Sequence, residues 1–166
     1  VAFITVMIVR SFLIQPFLVS GSSMEPNFSS GDYLLIDEIT YRIRQPERGE
    51  VIVFRYPGAE KTYFIKRIVG LPGERLVLED NKIIVFNKDN SNGLVLGESY
   101  LPSIAKFSGK EEIILKDNEY FVLGDNRYYS FDSRSWGNLK KNEIVGMVRV
   151  RLWPFNKVNA FEKPAY

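Results

Sequence analysis

Three serines fall within four residues, in Ser20-Gly-Ser-Ser23, directly before Met24-Glu-Pro26. A serine hydroxyl becomes an effective nucleophile only when a neighbouring group takes its proton. The sequence contains no histidine and no cysteine. That excludes a Ser-His-Asp triad, thiol catalysis, disulfides and the commonest zinc sites. Any base must therefore be Lys, Asp, Glu or Tyr. A lysine can serve if burial keeps it neutral, because a free lysine titrates near about 10.4 and desolvation lowers that by several units. Such a lysine belongs inside an apolar strand, and Thr62-Tyr-Phe-Ile-Lys66-Arg-Ile-Val69 supplies one. In an alternating strand Phe64, Lys66 and Ile68 share one face, opposite Ile65 and Arg67. The competing reading is an edge lysine that guards the sheet. Ser103-Ile-Ala-Lys106 has the Ser-x-x-Lys spacing, but it follows Pro102 without a helical pattern and no Lys-Thr-Gly accompanies it, so it is set aside as chance. A third segment, Leu123 to Gly137, is dense in Asp, Asn, Arg and Ser. Taken alone it reads as a solvated loop with an Asp132–Arg134 ion pair, although loops carry many active-site groups.

These residues need a frame. At 166 residues, 45% hydrophobic and 25% charged, the chain fits one globular domain. The formal charge is only +2 and the 22 Lys and Arg are scattered, so no nucleic-acid partner is expected. Residues 1–19 are apolar except for Thr5, Arg10, Ser11 and Gln15. They are read as part of a membrane anchor helix, with Arg10 reaching toward head groups and Pro16 ending the helix. A buried core helix is the alternative. From residue 20 to 166 the pattern is one mainly-β domain. Asp32–Ile39, Glu50–Tyr56, Thr62–Val69, Arg75–Asp80, Lys82–Asn87, Glu111–Lys116, Glu119–Asp125 and Glu143–Trp153 are short runs rich in β-branched and aromatic residues, separated by turn chemistry. The pair flanking Asp80-Asn81 predicts a protruding β-hairpin, an insertion spanning about 79–116.

Taken in order after the apolar segment, Ser20–Pro26, Tyr63–Glu74 and Gly124–Gly137 resemble the bacterial type I signal peptidases, leader peptidases with a Ser-Lys dyad. Gly31–Glu38 and Arg48–Pro57 match that family's intermediate blocks. The resemblance runs from about Arg10 to Phe155 and is weakest from Glu79 to Lys116. It implies a coiled-sheet, mainly-β protease with Ser23 as nucleophile and Lys66 as general base. It further implies that Ser130 hydrogen-bonds and orients the lysine, that Asp132 and Arg134 support the site as an ion pair, and that Asp125, Asn126 and Arg127 are structural. Asn27 stands where the family usually has Thr, and only a local turn effect is expected. Gly21 stands where some members carry a serine that assists the oxyanion hole, so the hole is expected to rest on the Ser23 backbone N–H.

The implied activity is that of a membrane-bound serine endopeptidase that cleaves signal peptides from exported preproteins, with no cofactor and no metal. Its partners would be membrane lipid and an extended signal peptide added as a strand beside Lys66. It would sit in the cytoplasmic membrane with its catalytic domain on the extracytoplasmic side. Signal peptides end in small residues at the first and third positions before the cut; Met24 and Ile65 are the residues expected to line those pockets. Two other readings make different demands. A soluble, self-cleaving repressor-type Ser-Lys protease calls for a DNA-binding domain and an Ala-Gly-like site upstream, where this chain has an apolar run. A non-catalytic, membrane-tethered binding domain calls for Ser23 and Lys66 side chains that do not meet.

Overall fold

Runs of β-branched and aromatic residues bounded by Gly, Pro, Asn and Asp become strands because such side chains fill a pleated surface. The computed structural model describes residues 14–102 and 109–164, and within them the protein is mainly β. The strands are β1 (Ile14–Leu18), β2 (Tyr33–Asp37), β3 (Val51–Tyr56), β4 (Ala59–Gly70), β5 (Arg75–Glu79), β6 (Lys82–Phe86), β7 (Leu94–Val95), β8 (Glu111–Ile114), β9 (Glu119–Leu123), β10 (Leu139–Lys140), β11 (Ile144–Trp153) and β12 (Asn159–Ala160). Two single-turn helices, α1 (Thr40–Ile43) and α2 (Ser133–Trp136), join them. The larger sheet runs β1-β2-β11-β3-β4-β9-β10, with β12 on β11, and the smaller runs β7-β6-β5-β8. All the pairings are antiparallel.

β3 lies in the middle of the larger sheet, and its first four residues, Val51 to Phe54, are all buried. Val51 and Val53 pack with Ile65 and Met24 on one side, while Ile52 and Phe54 pack with Phe64 and Ile68 on the other. The alternation read along β4 is thereby reproduced for Phe64, Ile65 and Ile68. A third apolar cluster joins the smaller sheet to the larger through Leu76, Leu78 and Ile83 against Val69, Phe121 and Leu123.

The hairpin flanking Asp80-Asn81 is β5–β6, and both turn residues have positive φ, 51° and 61°, as a tight two-residue hairpin requires. It does not protrude alone. β7 and β8 flank it in a four-stranded sheet whose first strand, β5, begins at Arg75.

The anchor-helix reading of residues 1–19 is corrected over its last part. Residues 1–13 lie outside the described residues, but Ile14–Leu18 is an extended strand paired with β2, Pro16 opposite Leu35. Pro16 therefore lies inside a strand. β1 is an edge strand, where a residue without an N–H is tolerated. Among the described residues, no helix is long and apolar enough to cross a membrane.

Candidate active site

Ser23 sits in the loop between β1 and β2, and two other parts of the chain hold that loop. The Asn126 N–H donates to the Ser23 carbonyl (3.0 Å), and Asn126 Nδ2 donates to the Ser22 carbonyl (3.1 Å). Asn27 Nδ2 bonds Asp125 Oδ2 (2.8 Å) and the Tyr100 carbonyl (3.0 Å). Asn27 therefore does more than the local turn effect expected from the sequence; its amide reaches partners 73 and 98 residues away. Asp125 is held in turn by a bidentate ion pair with Arg67 at 2.7 and 2.8 Å, with both side chains buried.

Lys66 lies on β4 one residue before Arg67, and only 3% of it is exposed. Its Nζ is 2.8 Å from Ser23 Oγ and 2.9 Å from the Ile65 carbonyl. The Phe64 ring stands 5.2 Å from the same nitrogen. Burial pushes the Lys66 ammonium down to about 8, against the opposing pull of the Asp132 and Asp125 carboxylates. A neutral amine in this position accepts the Ser23 O–H, whereas an ammonium donates to Oγ; the short contact fits either state. An edge lysine reaching to solvent is not what is found, and the side chains that a non-catalytic domain would keep apart are in contact.

Asp132 is fully buried and caps α2, and its carboxylate accepts the Gly124 N–H (3.0 Å). Arg134 pairs with it through Nε and a terminal nitrogen, both at 2.8 Å, and donates to the Arg127 carbonyl (2.9 Å). This ion pair shapes the turn that carries Ser130. Among the described residues the buried Ser130 Oγ has no hydrogen-bond partner, and the expected bond to Lys66 is not formed. Ser130 is nevertheless beside the nucleophile. A Cβ built on Gly124 would lie 2.1 Å from Ser130 Oγ and 2.4 Å from the Ser23 carbonyl, which places the three residues in one tight junction.

Ser23 and Lys66 open into a cleft of about 430 Å³. Ile65, Leu34 and Val53 line one part of it, and the aromatic side chains of Phe64, Tyr129 and Phe131 line another. Ile65 is thus a wall of the cleft. Met24 is not; it is 1% exposed and packed into the core beneath the loop, because its long apolar side chain follows the chain inward at Ser23. Tyr129 and Phe131 carried no sequence signal beyond being aromatic. A larger cavity of about 670 Å³ lies where Asn27 and Phe28, rather than Ser23, face it. Its charged groups Arg44, Glu50 and Lys163 are engaged in ion pairs, and it offers no nucleophile beside a base. Among the described residues no cluster of three or more acidic side chains is placed to hold a metal ion.

A hydroxyl in contact with a desolvated amine, at the floor of a cleft in a mainly-β frame, has the chemistry of a serine–lysine hydrolase. The family model described as signal peptidase, peptidase S26, matches residues 1–153. The chain belongs to this family and is a serine endopeptidase. It is 37% identical to a probable signal peptidase I-2 of Synechocystis over 155 residues, 90% of this chain and 68% of that one. It is 30% identical to signal peptidase IB of Staphylococcus aureus over 169 residues, 95% and 87% of the two chains. Among solved structures it matches a signal peptidase I of Enterococcus faecalis at a TM-score of 0.52 and 28% identity, covering 63% of this chain and 97% of the other.

Proposed function

We propose that this protein removes signal peptides from exported preproteins at a membrane, with Ser23 as nucleophile and Lys66 as general base. The observation that carries the reading is the 2.8 Å contact between Ser23 Oγ and a buried Lys66 Nζ. Neutral Lys66 takes the hydroxyl proton as Oγ attacks the scissile carbonyl. The resulting ammonium then protonates the departing amine, and a water molecule, activated in the same way, releases the acyl group from Ser23. Among the described residues the Ser23 N–H has no hydrogen-bond acceptor, and it is the donor assigned to the oxyanion.

The substrate is an extended peptide. β9 pairs with β4 only from Arg67 to Gly70, so Lys61 to Lys66 have no strand on that side among the described residues. β1 offers a second edge beside the cleft, with no strand on its outer side among the described residues. A peptide lying there gains main-chain hydrogen bonds, and alternate side chains face the Ile65 wall. The relatives' names, all signal peptidases, support the substrate class. The apolar run before β1 supports attachment to the membrane, with the cleft on the extracytoplasmic side where a preprotein emerges.

The test is cleavage of a purified preprotein by the full chain. Ser23→Ala and Lys66→Ala are each expected to lower kcat by at least about 10³-fold, and the double variant to be little worse, as for members of one catalytic unit. Wild-type turnover in either single variant, folded by circular dichroism, rejects the assignment.

A further inference from the structure

The smaller sheet reaches the catalytic junction through one short segment. After β7 the chain runs through Leu96 to Pro102, and here Glu98 closes on Arg127. The Glu98 carboxylate accepts from both terminal nitrogens of that guanidinium, at 2.9 and 2.5 Å, and also from the Tyr100 hydroxyl (2.9 Å). The Arg127 side chain is only 1% exposed and that of Glu98 13%. Arg127 also donates through Nε to the Gly124 carbonyl (3.0 Å). Two residues further along the same segment, the Tyr100 carbonyl accepts from Asn27 and its ring lies 4.1 Å from the Arg67 guanidinium. Within this turn Asn126 holds the Ser22 and Ser23 carbonyls, Asp125 is paired with Arg67, and Arg127 holds the Gly124 carbonyl.

We infer that Glu98, on the segment that leaves the smaller sheet after β7, is a positioning residue for catalysis: through Arg127 it fixes the turn from Gly124 to Arg127, and through that turn the Ser23 carbonyl and the direction of Oγ. The inference rests on the reading of Ser23 and Lys66 as the catalytic pair. Its physical basis is that a buried guanidinium tolerates few arrangements; it needs a carboxylate at a fixed distance and angle, and the bidentate fork supplies both. Without that partner the guanidinium turns toward water and carries the Gly124 carbonyl with it. A displacement on the order of 1 Å at a nucleophile costs about 10²-fold in rate. The smaller sheet is therefore coupled to the chemistry, although none of its side chains lines the cleft.

The experiment compares kcat and KM on one preprotein for the full chain and its variants, assayed well below each unfolding midpoint. Glu98→Gln keeps the shape and removes the charge; it is expected to lower kcat by roughly ten- to a hundredfold with KM changed less than about threefold. Glu112→Gln breaks an exposed ion pair with Arg75 within the smaller sheet and is expected to leave kcat unchanged. If Glu98→Gln does not fold, Glu98→Asp retains the counter-charge but cannot reach both nitrogens, and is expected to show a smaller drop in kcat. A merely structural role lowers the unfolding midpoint and leaves kcat alone; wild-type kcat in a folded Glu98→Gln or Glu98→Asp overturns the inference. Ser23→Ala in the same assay separates the two ideas: if it is inactive while Glu98→Gln is fully active, only the positioning role fails, whereas an active Ser23→Ala removes the catalytic reading itself.

Discussion

Lys66 has two opposed demands on it, and both are measurable. To take a proton it must be neutral, and burial moves its titration from 10.5 to about 8. Below that midpoint the neutral fraction falls tenfold per pH unit. Activity on a preprotein is therefore expected to rise with pH to a midpoint near 8; a rise delayed to the range of a free lysine would contradict a desolvated base. Lys66→Arg should be inactive at every pH, since a guanidinium stays protonated. The same burial destabilises the fold. The unfolded chain holds the proton up to a higher pH than the folded one, so stability is lowest below about 8 and recovers as pH rises toward 10.5. Lys66→Met should then stabilise the protein at pH 7 by roughly 3 kcal/mol or less, with the gain shrinking as pH approaches 10. Denaturant titrations at the two pH values check this, and an equal gain at both would mean that burial of charge is not the cause. Ser130→Ala removes no side-chain hydrogen bond found among the described residues, and is expected to cost less activity than Lys66→Ala.

At the scale of elements, the site is a junction between the serine loop, the end of β9 and the turn that follows it. Gly124 is where they meet. Gly124→Ala would push a methyl group into the Ser23 carbonyl as well as into Ser130, and rotating Ser130 relieves only one of the two clashes. Activity should fall by at least about 10²-fold while secondary structure persists; an active Gly124→Ala would show that the loop can shift without cost. Ile65→Ala on β4 should widen the cleft and admit bulkier residues near the cut, worth about 1–3 kcal/mol of discrimination. The check is a preprotein panel varied at the first and third positions before the scissile bond. How much of this could be read from residues alone follows from range. Lys66 was legible as a candidate because the absence of His and Cys leaves few bases and an apolar strand lowers a lysine's titration, but the choice against an edge lysine rested on the motif resemblance. The Asp132–Arg134 pair was legible because its members are two residues apart. Asn27 with Asp125, Arg67 with Asp125 and Glu98 with Arg127 were not, because the sequence does not carry the pairing that brings them together. β1 was hidden for another reason. Ile14–Leu18, broken only by Gln15 and Pro16, continues a mostly apolar run, and such a run has the same composition in a buried strand as in a helix.

For the whole molecule, β1 links the apolar N-terminal run to the chemistry. It is an edge strand of the larger sheet, with Phe17 and Leu18 on the cleft, and the Phe17 ring meets the Tyr63 ring of β4 edge-on at 5.6 Å. The cleft thus lies between two strands tied by one aromatic pair, and β1 leads straight into the serine loop. Removing residues 1–13 takes away apolar chain that precedes the described fold, whereas removing residues 1–18 takes away a wall of the cleft and bares the edge of β2. The shorter deletion should reduce the need for detergent and keep turnover of a soluble signal-peptide substrate within about tenfold of the full chain. The longer one should lose nearly all turnover, even though Ser23 and Lys66 are both retained, because an extended peptide no longer has two edges to lie between. Both truncations are assayed with the same short peptide in detergent, after folding is checked by near-UV circular dichroism. Equal activity in the two would mean that β1 serves only as a tether. Loss of turnover on deleting residues 1–13 alone would place part of the substrate site in the apolar run itself.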